Sequence, residues 1–541
     1  MAARFDKLFH FHGGLRLPGH KDPSTSTPVV PARVPPRLIL PLHQHIGQPA
    51  EALVKVGDDV LKGQLIGRAQ GYVSAPVHAS SSGRVVEVGE RPVPHPSGLT
   101  ALCVVIETDG LERWRRRDEP VADYKALDPS ELRNRIRDAG IVGLGGAGFP
   151  SFIKMNPGAG HAIDLLVING AECEPYISCD DMLMRERPAD IVGGMAVLRH
   201  AIGARECVIA IEDNKPEAIA ALQREVQAMG DPSVHVATVP TRYPTGGEKQ
   251  LIKVLTDLEV PSQGLPADIG IVCHNVGTAA AVYRNMLDNE PLVSRMVTVT
   301  GAGVAEPRNL EVLIGTPIAD LVAQCGGYTD AADRLVMGGP MMGFALPDDA
   351  LPVVKTTNCI LVASRADLPA PQAAMPCIRC GECVQVCPAN LLPQQLYWYA
   401  HAKDFDKAQD YHLFDCIECG CCAQVCPSHI PLVQYYRFAK TEIWAQDRER
   451  HHADQARRRH EFRLERLERE KQEREQRLRE RRKGAPEDAK KAAIQAVLDR
   501  AKAKKAAADD AAATQPPPAG AGADNTDTPA NAPPPDSKEN A

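Results

Sequence analysis

Two cysteine motifs constrain the fold of this chain more than any other feature of its sequence. The segments CIRCGECVQVCP and CIECGCCAQVCP begin at Cys377 and Cys416, and both read C-x-x-C-x-x-C-x-x-x-C-P with an offset of 39 residues. Three thiolates on a tight loop can face three irons of a cubane, while the fourth, on the helix that follows, reaches the neighbouring cluster. The repeat therefore predicts a small helical domain of the ferredoxin type with two [4Fe-4S] clusters.

The same spacing predicts that the two ligand sets are crossed. The first three cysteines of each motif share a cluster with the last cysteine of the other motif. The sets are Cys377, Cys380 and Cys383 with Cys426, and Cys416, Cys419 and Cys422 with Cys387. A pair of zinc sites is disfavoured, because zinc ligands usually form two pairs separated by a longer spacer. We interpret Cys421, the extra thiol of the second motif, as a bystander.

Length and composition limit the class of protein. A chain of 541 residues exceeds one ordinary core, since a domain typically holds about 100 to 200 residues. The 62 basic and 69 acidic residues give a net charge of −7 and form no basic stripe of the kind that binds nucleic acid. The sequence has no apolar run of about 18 residues and no secretory h-region at its start, so we expect a cytoplasmic chain. Nine of its 16 cysteines lie between Cys377 and Cys426, which indicates metal binding rather than disulfides.

The first two segments of the chain are predicted to be an extended stretch and a small β module. Residues 1–36 are rich in proline, and residues 37–127 contain short strand-like runs. Within them, VKVGDDVLKGQLIG and VSAPVHASSSGRVVEV resemble the biotinyl/lipoyl barrel-sandwich fold. That fold carries its modified lysine at a hairpin tip, where this chain reads RAQGY. Because no lysine stands there, we interpret the module as structural.

The remaining segments differ in pattern from one another. Strand-like and amphipathic helical runs alternate over residues 128–294, which predicts a Rossmann-like α/β domain with a largely parallel sheet. Residues 295–345 resemble the soluble-ligand-binding β-grasp module, and residues 346–445 hold the cysteine motifs. The composition of residues 446–483 predicts a charged helix without an apolar stripe. The Ala- and Pro-rich residues 484–541 are expected to be disordered. The fold class is therefore multidomain α/β with added β and helical modules.

The segment GLGGAGFP at residues 143–150 matches G-x-G-x-x-G but not its usual context. A dinucleotide fingerprint follows a strand and opens a helix, whereas the run SELRNRIRDAG before this loop predicts a helix. A tight turn alone would need one or two glycines. The loop is therefore predicted to bring its backbone N–H groups close to an anion or a flat ring.

Four segments resemble, in order, the flavin-bearing subunit of respiratory complex I. They are GLGGAGFPSFIKM at 143–155, INGAECEP at 168–175, YPTGGEKQL at 243–251 and HNVGTAAAV at 274–282. The resemblance implies a shared pocket for non-covalent FMN and for the nicotinamide of NADH. A flavin can take up a hydride and release single electrons, which an iron–sulfur cluster requires.

The resemblance also implies roles for individual residues. Those implied to bind the cofactors are Gly143, Gly145, Gly146, Ala147, Gly148, Phe149, Lys154, Asn169, Tyr243, Gly246, Gly247, Glu248, Asn275 and Thr278. Among them, Lys154 is expected to reach the flavin or a phosphate, and Asn275 and Thr278 the flavin phosphate. Glu172 and Glu174 are implied to be catalytic, near the isoalloxazine and the nicotinamide. From the residues alone, a glutamate after a strand, such as Glu172, is more often a helix cap or a solvated charge.

Four positions depart from the pattern of that flavin-bearing protein. Leu144 stands in place of an arginine, Ala171 of an aspartate, Cys173 of a glycine and Gly247 of a glutamate. Polar contacts to a nucleotide are therefore expected to be fewer than in complex I. We expect flavin binding to tolerate the loss of these contacts better than the positioning of NADH does.

The whole order of modules over residues 1–445 resembles the RnfC family, whose members belong to the Rnf electron-transport complex, an ion-translocating oxidoreductase. The resemblance implies an enzyme subunit that passes electrons between NADH and ferredoxin, or another acceptor, through FMN and the two clusters. Its partners would be integral membrane and ferredoxin-like subunits, and it would lie peripherally on the cytoplasmic face of the bacterial inner membrane. Other subunits would supply the ion pathway.

Two alternatives remain open at this point. The first is a soluble flavin and iron–sulfur reductase, since corrin reductases of bacterial microcompartments share the glycine loop, the β-grasp module and paired clusters. Co-purification with integral membrane subunits would separate it from the Rnf interpretation. The second is a scaffold that carries clusters but no active flavin site, which flavin absorbance after mild purification would separate from the other two.

Overall fold

A computed structural model describes most of the chain. The described residues are 5, 7–116, 121, 123–158, 162–370, 372–483 and 487–512. The chain forms two compact units, residues 1–445 and residues 446–541, and the first contains all the motifs above. Within the described ranges, none of the helices combines the length and the apolar character that crossing a membrane requires.

The front module is built from short antiparallel strands in two sheets. One sheet has the order Arg37–Pro41, Thr100–Thr108, Gly83–Pro92 and Asp59–Val60, and the other has the order Glu51–Ala52, Leu65–Arg68 and Val77–His78. Leu38, Leu40, Ile66, Val85 and Ile106 are buried between them. The module is therefore all β, as its short strand-like runs predict. The segment before it contains a short helix, Asp22–Thr25, and a two-residue strand, Val30–Pro31.

The central domain is a parallel sheet flanked by helices. Its strands, in chain order, are Leu165–Gly170, Glu206–Glu212, Val234–Val239 and Ile271–Asn275, and all neighbours pair in parallel. The spatial order is third, second, first, fourth. The strand order therefore reverses direction between the first and fourth strands. In open α/β sheets, ligands bind at such a point, outside the carboxyl ends of the strands.

Helices connect these strands and carry the functional loops. They are Pro129–Asp138, Ser151–Lys154, Cys179–Glu186, Pro188–Ile202, Pro216–Met229, Glu248–Thr256 and Val276–Asp288, with short 3-10 turns at Tyr124–Ala126 and Pro266–Ile269. Helix Pro129–Asp138 begins as predicted, since the Asp128 side chain accepts a hydrogen bond from Ser130 N. Helix Pro188–Ile202 packs closely on helix Val276–Asp288 at Gly194. A Cβ added to Gly194 would lie 1.8 Å from the carbonyl oxygen of Ala279, so this close approach requires glycine. This contact fixes the helix that begins at the fourth strand.

The β-grasp module is larger than its sequence pattern indicated. Its six-stranded sheet has the order Val30–Pro31, Arg308–Leu313, Ser294–Thr300, Cys359–Ala363, Arg334–Met337 and Phe344–Ala345, with helix Ile318–Gln324 alongside. Strand Cys359–Ala363 pairs in parallel with Ser294–Thr300, so the sheet continues beyond the predicted module, which ends at residue 345. Strand Val30–Pro31 is added from the N-terminal segment. Both additions are pairings between distant segments, which local patterns do not encode.

The cysteine-rich domain is helical and internally repeated. It contains Glu382–Gln385, Pro393–Ala402, Phe405–Asp410, the turn Leu413–Asp415, Cys421–Gln424 and the start of Leu432–Lys483. Equivalent positions of the two motifs have the same backbone conformation, with φ of 57° and 59° at Arg379 and Glu418 and of 84° and 81° at Gly381 and Gly420. The sequence duplication is therefore a duplication of structure.

The described residues of the second compact unit are helical. The helix that ends at Lys483 is mostly exposed over residues 446–481 and carries ion pairs one turn apart, such as Arg450 with Asp447. A further helix spans Glu487–Ala512, so the expectation of disorder over 484–541 is wrong for those residues. The physical reason is that Ala and Lys, which dominate this segment, are strong helix formers. Residues 484–486 and 513–541 lie outside the described part of the chain.

Candidate functional site

The glycine loop is a closed turn between two helices. Gly143 N donates to Phe149 O at 2.8 Å, and Gly148 N donates to Gly143 O at 3.2 Å. The loop follows helix Pro129–Asp138 and precedes Ser151–Lys154, with Val142 and Pro150 forming an isolated bridge at its neck. The prediction that this is not a strand-to-helix dinucleotide turn is confirmed.

Side chains from distant parts of the chain hold the loop in place. The Thr278 hydroxyl accepts from Leu144 N at 3.0 Å, and the Arg295 guanidinium donates to Leu144 O at 3.1 Å. Lys355 Nζ donates to Gly140 O at 2.7 Å, at the base of the loop. Arg295 and Lys355 belong to the β-grasp part of the chain and were missed by sequence reasoning, since neither lies in a recognisable motif. Burial lowers the pKa of both, for Lys355 to about 7.

One face of the loop is left open. Gly145, Gly146 and Ala147 are exposed, although the residues on either side are buried or partly buried. A Cβ added to Gly145 would make only ordinary contacts, at 3.5 Å from Asn275, and one added to Gly146 would meet nothing within 4 Å. Gly146 needs glycine for its φ of 112°, but contacts within the protein do not explain the glycine at 145. The open face therefore fits a flat ring or an anion that would occupy the space of a Cβ.

Two asparagines bring the edge of the sheet to the loop. Asn169 and Asn275 lie at the carboxyl ends of the first and fourth strands and are partners in the pairing register, on either side of the point where the strand order reverses. Asn275 Oδ1 accepts from Gly277 N at 2.8 Å and so caps helix Val276–Asp288. Asn169 Nδ2 donates to Gly246 O at 2.9 Å. The loop, both asparagines and a helix N-terminus thus converge where α/β sheets bind ligands.

Glu172 is buried and engaged with backbone groups. Its carboxylate accepts from Asp180 N at 2.9 Å and from Asp181 N at 3.4 Å, in the first turn of helix Cys179–Glu186. Burial raises its pKa to about 7, opposed by the Lys21 ammonium 3.7 Å away and reinforced by Asp180. Asp180 in turn accepts from Asn275 Nδ2 at 2.6 Å. Glu172 therefore acts as a helix cap that supports the asparagine at the sheet edge.

Lys21 and Glu174 tie this segment to its surroundings. Lys21 Nζ donates to Glu172 O at 2.7 Å, to Glu174 O at 3.0 Å and to Ile177 O, which fixes the turn after the first strand. The Glu174 carboxylate accepts from Met341 N at 2.7 Å and Met342 N at 3.2 Å in a β-grasp loop, and burial raises its pKa. Both glutamates predicted to be catalytic thus have structural partners.

A large cavity adjoins the loop at the fourth strand. Its empty volume is about 1030 Å³, and its lining includes Tyr72, Phe149, Lys154, Glu248 and Leu265. Lys154 forms an ion pair with Glu248 and also donates to Cys273 O at 3.1 Å. Burial acts to lower the pKa of Lys154, but the Glu248 carboxylate outweighs it and the pKa is raised. The cavity therefore combines apolar walls with one partly buried cation, Lys154, and two carboxylates, Glu248 and Asp268.

Some predicted cofactor contacts lie inside the protein instead. Thr278 is 0% exposed and Tyr243 is 3% exposed, so neither can touch a bound group directly in this conformation. Gly148 is buried, and a Cβ there would lie 2.7 Å from Thr356 Cγ2. Gly246 and Gly247 are partly buried, and a Cβ on Gly246 would lie 2.4 Å from Ala171 O. These residues position the walls, because their groups are committed to neighbouring segments.

The cysteines line two separate cavities. One has an empty volume of about 370 Å³, and the other has about 410 Å³. The first is lined by Cys416, Cys419, Cys422 and Cys387, and the second by Cys377, Cys380, Cys383 and Cys426. Thiols are the donors that iron–sulfur clusters require, so both linings fit a cubane with crossed ligands.

The two cysteine cavities differ in their surroundings. The Tyr243 hydroxyl donates to Cys419 O at 2.6 Å, and Tyr243, Cys419 and Cys421 pack with Cys173 and Met341. The cavity of the second motif therefore adjoins the α/β and β-grasp domains. Around the first motif, Cys380 is exposed and Ile378 is 68% exposed. Cys421 is fully buried in the packing between domains, a place that its sequence context did not indicate.

Four family models match the chain. They are the RnfC barrel sandwich hybrid domain over residues 9–111, the Nuo51 FMN-binding domain over 136–284, the SLBB domain over 296–345 and the 4Fe-4S dicluster domain over 376–430. By fold and site, the chain is therefore a multidomain protein that joins an FMN-binding domain to a dicluster domain.

Curated relatives identify the family. The RnfC protein of the ion-translocating oxidoreductase complex of Pseudomonas aeruginosa is 51% identical over 462 residues, which cover 85% of this chain and 59% of that protein. The protein of the same name from Serratia proteamaculans is 47% identical, with 93% and 71% covered. The chain belongs to the RnfC family of the ion-translocating oxidoreductase complex. It spans about 58% to 65% of the length of several of these relatives.

A solved structure is also similar to this chain. It is that of an NAD+-reducing [NiFe]-hydrogenase in the H2-reduced state, with 19% sequence identity and a TM-score of 0.41. The match covers 61% of this chain and 63% of the hydrogenase chain.

Proposed function

We propose that this chain is the electron-input subunit of an ion-translocating complex and passes electrons between NADH and ferredoxin, or another acceptor. The observation that carries the proposal is the convergence of the open glycine loop, Asn169 and Asn275 at the switch point of the sheet. A nucleotide-sized cavity lies beside this point, and a cysteine cavity adjoins the same domain through Tyr243. The strand order also supports the Rossmann-like description of the domain.

FMN would be held by the open face of the loop and the sheet edge. Gly143, Gly145, Gly146 and Ala147 would offer backbone to the ring. The N-terminus of helix Val276–Asp288, capped by Asn275, would place its positive end near the phosphate. When bound, this cofactor accepts electrons in pairs and gives them up singly.

NADH would occupy the cavity beside the loop. Phe149 and Leu265 provide apolar walls, and Lys154 provides a cation whose pKa is raised and which therefore stays charged beside a pyrophosphate. Glu248 keeps Lys154 oriented through their ion pair. Hydride transfer needs no proton acceptor from the protein. We therefore assign Glu172 and Glu174 to positioning, through Asp180 and through the Met341 loop, rather than to proton transfer.

The eight motif cysteines would bind two [4Fe-4S] clusters in crossed sets. The second-motif cavity adjoins the α/β domain, and the first-motif cavity is next to the exposed residues Met375, Ile378 and Cys380. We assign the exposed side to the approach of partner subunits of the same complex, integral membrane and ferredoxin-like. The chain would lie peripherally on the cytoplasmic face of the inner membrane.

Titration of the anaerobically purified full chain with NADH tests the function. About eight irons and one FMN per chain are expected, as two cubanes and one flavin site require. NADH should bleach the flavin absorbance and bring up the EPR signals of reduced clusters. Protein with clusters but without flavin, or with flavin that NADH does not bleach, would contradict the proposal. Failure to co-purify with integral membrane proteins would favour a soluble reductase instead.

Replacing Tyr243 by phenylalanine is expected to lower the midpoint potential of the second-motif cluster. The hydroxyl donates to the carbonyl of Cys419, and cluster potentials depend on nearby hydrogen bonds. Loss of one such bond, worth about 1 kcal/mol, corresponds to about 40 mV for a single electron. Redox titration monitored by EPR measures the shift. Tyr176→Phe is the matched control, because this buried tyrosine donates to Asp367 and not to a residue of the cysteine motifs, and it should leave both potentials unchanged. Equal potentials in Tyr243→Phe and wild type would contradict the expectation.

A further inference from the structure

The hairpin tip of the barrel-sandwich module reaches the α/β domain. This tip, residues 68–72, is where the resembled carrier fold bears its modified lysine, and here it ends in Tyr72. The Tyr72 ring meets Phe152 edge-on at 5.9 Å between centroids, and its hydroxyl accepts from Asn156 Nδ2 at 3.3 Å. Phe152 and Asn156 directly follow the glycine loop along the chain. The tip is therefore attached beside the candidate cofactor site.

Tyr72 forms part of the wall of the large cavity. The cavity is also lined by Phe149, Ile153 and Leu265. Tyr72 keeps 58% of its surface exposed despite its contacts, and Leu265 keeps 66%. Large apolar side chains with so much free surface around one cavity indicate a place for a flat apolar group.

Only one end of a dinucleotide can lie there. The reactive ring has to reach the open face at residues 145–147, which do not line this cavity. The ion pair of Lys154 and Glu248 suits the pyrophosphate and ribose in the middle of the molecule. The purine base is then the part that remains for the aromatic and apolar walls. Purines stack on tyrosine rings because both have extended flat faces.

Building on the proposed function, we propose that Tyr72 stacks against the adenine of the dinucleotide and sets the selectivity for NADH over a mononucleotide. The barrel-sandwich module would thereby be part of the substrate site, and not only structural. Its hairpin tip would supply an aromatic wall where carrier proteins present a lysine.

Steady-state kinetics of the anaerobic holoprotein with an artificial electron acceptor tests the proposal. NADH is compared with reduced nicotinamide mononucleotide, which lacks the adenosine half. In Tyr72→Ala, the KM for NADH should rise about tenfold, within the range that base–aromatic stacking carries, and the ratio of kcat/KM for NADH over the mononucleotide should fall by a similar factor. Tyr72→Phe, which keeps the ring, should stay within about twofold of wild type for both quantities.

Tyr328→Ala removes another half-exposed tyrosine, from the β-grasp module, and should keep the wild-type ratio. If the ratio of kcat/KM for NADH over the mononucleotide stays unchanged in Tyr72→Ala, whether or not both values fall, the role of Tyr72 is overturned. The proposed function would then remain intact. Wild-type protein that oxidises neither nucleotide would overturn the proposed function itself, and this inference with it.

Discussion

Replacing Gly145 by valine is expected to abolish stoichiometric FMN retention and NADH-driven reduction of the clusters, with the iron content left at about eight per chain. The protein itself has room for the change, since an added Cβ would make only ordinary contacts at 3.5 Å from Asn275. The backbone there is not in the left-handed region, unlike that of Gly146 with its φ of 112°. Two further methyl groups would instead fill the open face of the loop. Flavin absorbance, iron analysis and EPR after NADH addition measure the outcome.

Gly89→Val is the matched control for this variant. Gly89 lies in strand Gly83–Pro92, has no positive φ and would place its Cβ against the Glu87 side chain alone, at 3.4 Å or more. Valine suits a strand, so FMN retention and NADH oxidation should equal those of wild type. Gly145→Val with one FMN per chain and normal cluster reduction would make GLGGAGFP an ordinary turn, and the site of electron entry would lie elsewhere. Gly146→Val is less informative, because its backbone strain could unfold the loop.

The sequence predicted those parts of the site that depend on spacing along the chain. Four thiolates within eleven residues specify a cluster motif whatever the fold around it, and the glycine run indicates an open backbone. The sequence could not predict what holds the loop, because Arg295 and Lys355 reach it from more than a hundred residues away. Lys21, which fixes the turn at Glu172, comes from a segment expected to be merely extended.

Burial separated residues that a motif had grouped together. Tyr243 and Glu248 stand five residues apart in one motif, yet Tyr243 is buried against Cys419 and Glu248 lines the large cavity. Local sequence sets which side chains are present, whereas tertiary packing decides which of them face a ligand. The β-grasp sheet shows the same limit, since Val30–Pro31 and Cys359–Ala363 join it from outside the recognised module. Strand pairing between distant segments leaves no periodic signal in either one.

Exchanging single cysteines is expected to remove one cluster at a time, and the one that is lost identifies the ligand sets. In Cys387→Ser, iron should fall from about eight to about four per chain, with loss of the cluster held mainly by the second motif. Cys387 lines the cavity of Cys416, Cys419 and Cys422, although in sequence it belongs to the first motif. Cys426→Ser should remove the other cluster, because Cys426 lines the cavity of the first motif.

The two serine variants should also differ in how NADH reduces what remains. The second-motif cavity adjoins the α/β domain through Tyr243, so its cluster should still be reduced by NADH in Cys426→Ser. In Cys387→Ser, the surviving first-motif cluster is separated from the flavin site by the damaged cavity, and its reduction by NADH should slow by orders of magnitude while dithionite still reduces it. Rapid-freeze EPR distinguishes the two. Loss of the first-motif signal in Cys387→Ser would contradict crossed ligation, and equally fast reduction by NADH in both variants would contradict the order in which the two cavities follow the flavin site.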